Sequence, residues 1–260
     1  MSGTRSHSRA APAIEPETRP VLLIVSHGER GGARDDRFAY GLVERLRGAA
    51  GFADVQACFL SKEPSLKTVS AALPPGPVVI YPLFMADGYF VNKAIPRQLP
   101  SHEDRDLTVL TPLGLNPRLP GLVAQLAVDA ARAAGVDKAT HELLLAAHGS
   151  KHEPASRLAT EHLAERLRQQ HVFAGVSVSF LEEAPFVSDQ LAAITRPVIV
   201  AGLFAGQGMH GAGDVPQAVQ ASGRGDVVLA PQLVSSPVLA ELVVAQIEEH
   251  FRPQRQLEQA

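Results

Sequence analysis

"VLLIVSHGER" runs from Val21 to Arg30, and "LLLAAHGSKH" from Leu143 to His152. Each is a short, nearly unbroken apolar run that leads into a His-Gly pair. Such runs mark strands buried on both faces, and strands of that kind belong to parallel sheets flanked by helices. The run occurs twice, about 120 residues apart, and so do the segments that follow it. "VQACFLSKEPSL" (Val55–Leu66) matches "VSVSFLEEAPFV" (Val176–Val187). "PLFMADGYFVNKAIP" (Pro82–Pro96) matches "GLFAGQGMHGAGDVP" (Gly202–Pro216), and "LTVLTPLGLNPRL" matches "VVLAPQLVSSPVL". Four motifs in one order at nearly constant spacing indicate a duplicated unit of roughly 115 residues.

The second unit shows the alternation within each copy. "ELLLAAHG" reads as a strand. "EPASRLATEHLAERLRQQH" reads as a helix, with Leu158, Ala159, Leu163 and Leu167 at helical spacing. "VSVSFL" is a strand, "PFVSDQLAAI" a helix opened by Pro185, and "RPVIVAGLF" a strand. Asp214 is expected to cap a helix through "VPQAVQAS". After the strand "DVVLA", Ser236 and Pro237 open a last helix, "SPVLAELVVAQIEEHF". Alternating strands and helices imply right-handed parallel crossovers. The expected fold is therefore α/β: two tandem three-layer αβα domains, each with a roughly four-stranded parallel sheet. The expected bounds are 20–134 and 140–252, joined near "AAGVD", with disordered tails at 1–19 and 253–260. "GLVAQLAVDAARAA" is expected to close the first domain.

The chain has 260 residues, 45% of them apolar, which suffices for a sizeable core. A net charge of −3 argues against a nucleic-acid surface. The single cysteine, Cys58, excludes an internal disulfide and a thiolate zinc site, and its apolar surroundings read as core packing. The polar N-terminal segment has no apolar core of a secretory signal, and no apolar run is long enough to span a membrane. A cytoplasmic protein without membrane partners is expected. Oligomeric state is not encoded in these patterns, although internal duplication can supply in one chain, as a monomer, what a homodimer of single units would.

In open α/β sheets ligands bind beyond the carboxyl ends of the strands. In the second unit His148 ends the first strand, Glu182 follows the second, and His210 lies in the glycine loop after the third. Singly, each has an ordinary structural explanation. Together at one sheet edge they form a candidate metal and catalytic site. Two imidazoles and a carboxylate suit a first-row divalent ion and leave positions open for a substrate. Gly206, Gly208 and Gly211 let the backbone turn beside a bulky ligand.

Two motif readings compete. "SHGER" is partly similar to the Arg-His-Gly-Glu of histidine phosphatases, but Ser26 and Ala147 stand where that chemistry needs arginine. "GQGMHG" fits G-x-G-x-x-G, yet it follows the third strand of its unit rather than the first. No acidic residue ends a strand some 20 positions on; Asp226 precedes one.

At these residues the chain resembles the class II, CbiX-type sirohydrochlorin chelatases. "AHGS" (Ala147–Ser150), "FLEEAP" (Phe180–Pro185), "GLFAGQGMH" (Gly202–His210) and "DVP" (Asp214–Pro216) match the family pattern in order. The resemblance covers Val21 to about Phe251 as two tandem copies. It implies ATP-independent insertion of Co²⁺ or Fe²⁺ into sirohydrochlorin, towards cobalamin or sirohaem. The metal is then a co-substrate, and no organic cofactor is expected. His148 and His210 match the family's metal-binding catalytic histidines, and Glu182 its acidic partner. A non-catalytic metal or tetrapyrrole carrier, and a ferrochelatase for another porphyrin, are the alternatives.

The first unit keeps His27 but has Ser61, Phe90 and Ala94 at the positions of Glu182, His210 and Asp214. It is expected to be a degenerate site. Its Arg30, Arg34, Lys62 and Lys93 suggest a clamp for the substrate's carboxylates across a cleft. His27, Ser150 and Gly208 complete the expected substrate contacts.

Overall fold

The computed structural model describes residues 19–28, 36–48, 51–99, 106–206 and 213–251. Two four-stranded parallel sheets form the frame. The first contains β1 (Val21–Ser26), β2 (Asp54–Phe59), β3 (Val78–Pro82) and β4 (Leu107–Val109), in the order β2-β1-β3-β4. The second contains β5 (Glu142–Ala147), β6 (Gly175–Phe180), β7 (Val198–Gly202) and β8 (Val227–Leu229), in the order β6-β5-β7-β8. Registers repeat too: Ser26 pairs with Phe59 as Ala147 pairs with Phe180. In each sheet the first strand lies between the second and third, so three loops converge at one edge.

The central strands are apolar throughout because both faces are covered. In β1, Leu22 and Ile24 face one core while Leu23 and Val25 face another. In β5, Leu143, Leu145 and Ala147 alternate in the same way with Leu144 and Ala146. The outer face of the first sheet carries α2 (Leu66–Ala72) and α3 (Ile95–Gln98). The outer face of the second carries α6 (Val187–Ala193) and α7 (Val215–Ala221). Between the sheets lie α1 (Arg37–Leu46), α4 (Leu119–Ala133), α5 (Ala155–Arg168) and α8 (Pro237–Phe251), which share one core.

The central layer departs from two independent domains. Helix α4, expected to close the first repeat, packs on β7 and β8 and beside α5 of the second. Helix α8 packs against α1 of the first. Gln246 of α8 accepts hydrogen bonds from the Tyr81 hydroxyl (2.9 Å) and Asn116 Nδ2 (2.7 Å), and donates to the Thr111 carbonyl (3.0 Å). Arg118 and Glu249 pair nearby at 2.5 Å. Each repeat thus lends its last helix to the other half.

Smaller expectations also change. Leu158 is 59% exposed, while Ala159, Leu163 and Leu167 are buried, so Leu158 lies off the core-facing stripe of α5. Asp214 stands at the N-cap of α7 in helical geometry and makes no side-chain capping bond. Pro237 is the first residue of α8, as expected. Cys58 is wholly buried, and burial pushes its thiol up to about 12. No helix among the described residues is long and apolar enough to cross a membrane. The expected tails fall almost wholly outside the described residues.

Candidate metal site at the second sheet edge

His148 follows β5 and is exposed at the carboxyl edge of the sheet. Its Nδ1 lies 3.0 Å from the Gly149 carbonyl oxygen. A carbonyl only accepts, so Nδ1 carries a proton, and the neutral ring has its lone pair on Nε2. Such a bond also fixes the ring's orientation, as it does for metal-binding imidazoles. Glu182 follows β6, and its backbone N–H donates to the His148 carbonyl at 3.0 Å. The two candidates are therefore joined through the main chain. The Glu182 carboxylate is half-exposed and faces Lys151 Nζ at 3.4 Å.

Gly149 makes this junction compact. Its φ is +77°, the left-handed region that glycine tolerates. A Cβ there would stand 2.8 Å from Phe180 Cβ and 2.9 Å from Glu183 Cγ. Gly28 is equivalent, with φ +84° and Phe59 Cβ at 2.9 Å.

Neighbouring Glu183 escaped the sequence reading. Its Oε1 accepts from Ser150 N–H at 3.0 Å, and its Oε2 accepts from Arg157 Nη2 (2.6 Å) and Nε (3.1 Å). Arg157 also donates to the Ala184 carbonyl and lies 4.8 Å from the Phe180 ring centroid. One carboxylate thus braces the His148 loop against the Glu182 loop. Ser150, expected at the substrate, shapes the turn itself: its Oγ accepts from the N–H groups of His152 and Glu153, both at 3.2 Å.

The first repeat holds the same brace with its charges exchanged. Lys62 occupies the position of Glu183 and pairs with buried Asp36, which occupies the position of Arg157. Lys62 Nζ lies 5.1 Å from the Phe59 centroid, so a cation covers the equivalent ring in both halves. The ammonium expected to clamp substrate is thereby engaged within its own repeat. The reversal is visible in sequence once the repeats are aligned, because 36 and 157, and 62 and 183, differ by the same 121 positions.

Ser61, at the position of Glu182, donates its hydroxyl to the carbonyls of His27 (2.9 Å) and Gly28 (2.6 Å). Phe90, at the position of His210, meets the His27 ring edge-on with centroids 5.0 Å apart. Lys93 is exposed on the π-helical turn Phe90–Ala94. His210, Gly208, Arg30 and Arg34 lie outside the described residues. Among the described residues no three His, Cys, Asp or Glu side chains are grouped to hold an ion.

Comparison with known proteins places this geometry in a family. The CbiX family model matches twice, over residues 21–130 and 142–250. The chain belongs to the CbiX family. This CbiX member is 28% identical over 223 residues to a probable sirohydrochlorin cobaltochelatase of Halobacterium salinarum, covering 76% of this chain and 75% of the relative. It superposes with TM-score 0.74 and 30% identity on CbiX described as the terminal enzyme of siroheme biosynthesis in denitrifying bacteria, covering 90% of this chain and all of the other. The Fe³⁺ complex of SirB from Bacillus subtilis shares the fold, with TM-score 0.73 at 16% identity, covering 89% and 95% of the two chains.

Proposed function

We propose that this CbiX-family chain inserts a divalent metal, Co²⁺ or Fe²⁺, into sirohydrochlorin without ATP, with the second repeat as the metal-binding face. One observation carries the reading. His148 and Glu182 leave neighbouring strands at one edge and are joined by a 3.0 Å main-chain bond, with the imidazole lone pair on Nε2. The first repeat supports the third member. Phe90, the counterpart of His210, lies 5.0 Å from His27 between centroids. Two imidazoles sharing one ion at ~2 Å per bond hold their centroids on the order of 5 Å apart. That spacing in the first repeat supports the reading in which His148 and His210 share one ion. The relatives named for sirohydrochlorin cobaltochelation and siroheme synthesis support the macrocycle and both metals.

Insertion exchanges ligands without changing the metal's oxidation state. The ion enters, four ring nitrogens bind it, and two N–H protons leave the macrocycle. No redox or organic cofactor is required for that balance. His148 and His210 hold the ion in a half-open shell, so ring nitrogens displace side-chain ligands stepwise. The half-exposed carboxylate of Glu182 accepts a departing proton, and Lys151 stabilises the unloaded carboxylate.

The test is purified chain with sirohydrochlorin and each ion in turn, followed by the absorbance change of the macrocycle. His148→Ala, His210→Ala and Glu182→Gln are each expected to lower the rate by about 100-fold or more. A wild-type chain that binds Co²⁺ and Fe²⁺ yet inserts neither faster than free solution is a carrier, and the proposal fails.

A further inference from the structure

The first repeat has an aromatic ring, Phe90, where the second has His210. Phe90 stacks on Phe84, with centroids 5.4 Å apart and planes 16° apart, and Tyr89 meets Phe90 edge-on at 5.7 Å. Despite these contacts Phe90 is 40% and Tyr89 45% exposed. Two adjacent large rings left open to water forgo the free energy of burial, which a bound apolar surface would recover.

Position and charge identify the occupant. Gly88, just before these rings, abuts the other half: a Cβ on it would lie 3.0 Å from Ala155 Cβ and 3.4 Å from Glu153 Oε2. Ala155 begins α5, and the six residues before it lead directly from His148. The rings therefore directly follow a residue packed against the segment that leads from His148 into α5. Cations border them. Arg97 Nη1 donates to the Tyr89 hydroxyl at 3.2 Å, its guanidinium lies 5.9 Å from that ring's centroid, and Lys93 is exposed three residues after Phe90. Flat apolar faces bordered by cations complement a flat conjugated ring with carboxylates around its rim.

We propose that Phe90 and Tyr89 form a ledge that binds one face of the macrocycle, while Lys93 and Arg97 engage its rim carboxylates. This rests on the function proposed above and extends it. The second repeat holds the metal, the first holds the ring, and the ring's other face stays open to His148. The phenylalanine offers no lone pair to compete for the ion.

Metal-free sirohydrochlorin titrated into the full-length chain tests the ledge, read by the ligand's own emission, since the chain has no tryptophan. Phe90→Leu keeps apolar bulk but removes the ring, and is expected to raise Kd about three- to tenfold. Phe90→Trp is expected to restore or tighten binding. Co²⁺ affinity, titrated separately, is expected to stay unchanged in Phe90→Leu, and the KM for sirohydrochlorin to rise with Kd. Thermal unfolding checks that the variant folds. If it does not, Tyr89→Leu provides the same test, with an expected two- to threefold loss. Wild-type Kd in the folded variants overturns the ledge while leaving the chelatase reading intact. A wild-type chain that does not bind sirohydrochlorin overturns both.

Discussion

Exchanging the charges of Arg157 and Glu183 to imitate Asp36 and Lys62 separates stability from function. Glu183 is 15% exposed and Arg157 30%, so their interaction lies between a surface pair and a buried one. Glu183→Gln removes the charge but keeps an oxygen for Ser150 N–H. Arg157 then retains the Ala184 carbonyl, the Phe180 ring and Glu161 at 3.7 Å. The expected loss is about 1–2 kcal/mol, bounded by exposed pairs below and broken buried pairs above. At about 2 °C per kcal/mol for a chain of this length, the melting midpoint falls by roughly 2–4 °C. Glu183→Leu also strands the Ser150 N–H and loses about one further kcal/mol. The double variant Arg157→Asp with Glu183→Lys rebuilds the first repeat's pairing and is expected to recover more than half of the loss seen with Glu183→Lys alone. It supplies no acceptor for Ser150 N–H, so metal insertion is expected to remain at least tenfold below wild type. Urea unfolding of the four chains of this cycle gives the coupling, and the insertion assay gives the function. A coupling below about 0.5 kcal/mol, or full activity in the exchanged chain, refutes the brace.

Gly114→Ala places a Cβ into the Met85 carbonyl oxygen, a backbone atom that cannot swing aside, and is expected to destabilise by about 3 kcal/mol or more by chemical denaturation. Gln246→Leu removes the acceptor of the buried Tyr81 hydroxyl and is expected to lose about 2 kcal/mol; adding Tyr81→Phe is expected to recover part of that. The Cys58 thiol, held near 12 by burial, is expected to resist alkylation at pH 8 in the folded chain, with one thiol appearing on denaturation. Its thiolate forms more readily in the unfolded chain, so its contribution to stability is complete below about pH 9 and declines as pH rises towards the folded value.

The alternation of strand and helix, the twofold duplication and the sheet edge carrying His148 and Glu182 were all legible in the sequence. They follow from short-range rules: apolar runs buried on two faces, helical periodicity, and the same order of motifs in both units. Long-range choices were not legible. The apolar stripe of α4 requires a buried face but does not say which sheet supplies it, and only packing seated α4 on the second sheet and α8 against the first half. Leu158 is apolar and lies beside the stripe Ala159, Leu163 and Leu167, yet the packing of α5 buries the stripe and leaves Leu158 exposed. The brace between Arg157 and Glu183 joins groups 26 positions apart, and its mirror in the first repeat has the opposite charges. Sequence periodicity records that a side chain is buried or a loop turns. Which partner it meets is decided by the simultaneous packing of both halves, because burial free energy is non-directional and only the assembled geometry selects among equally apolar surfaces.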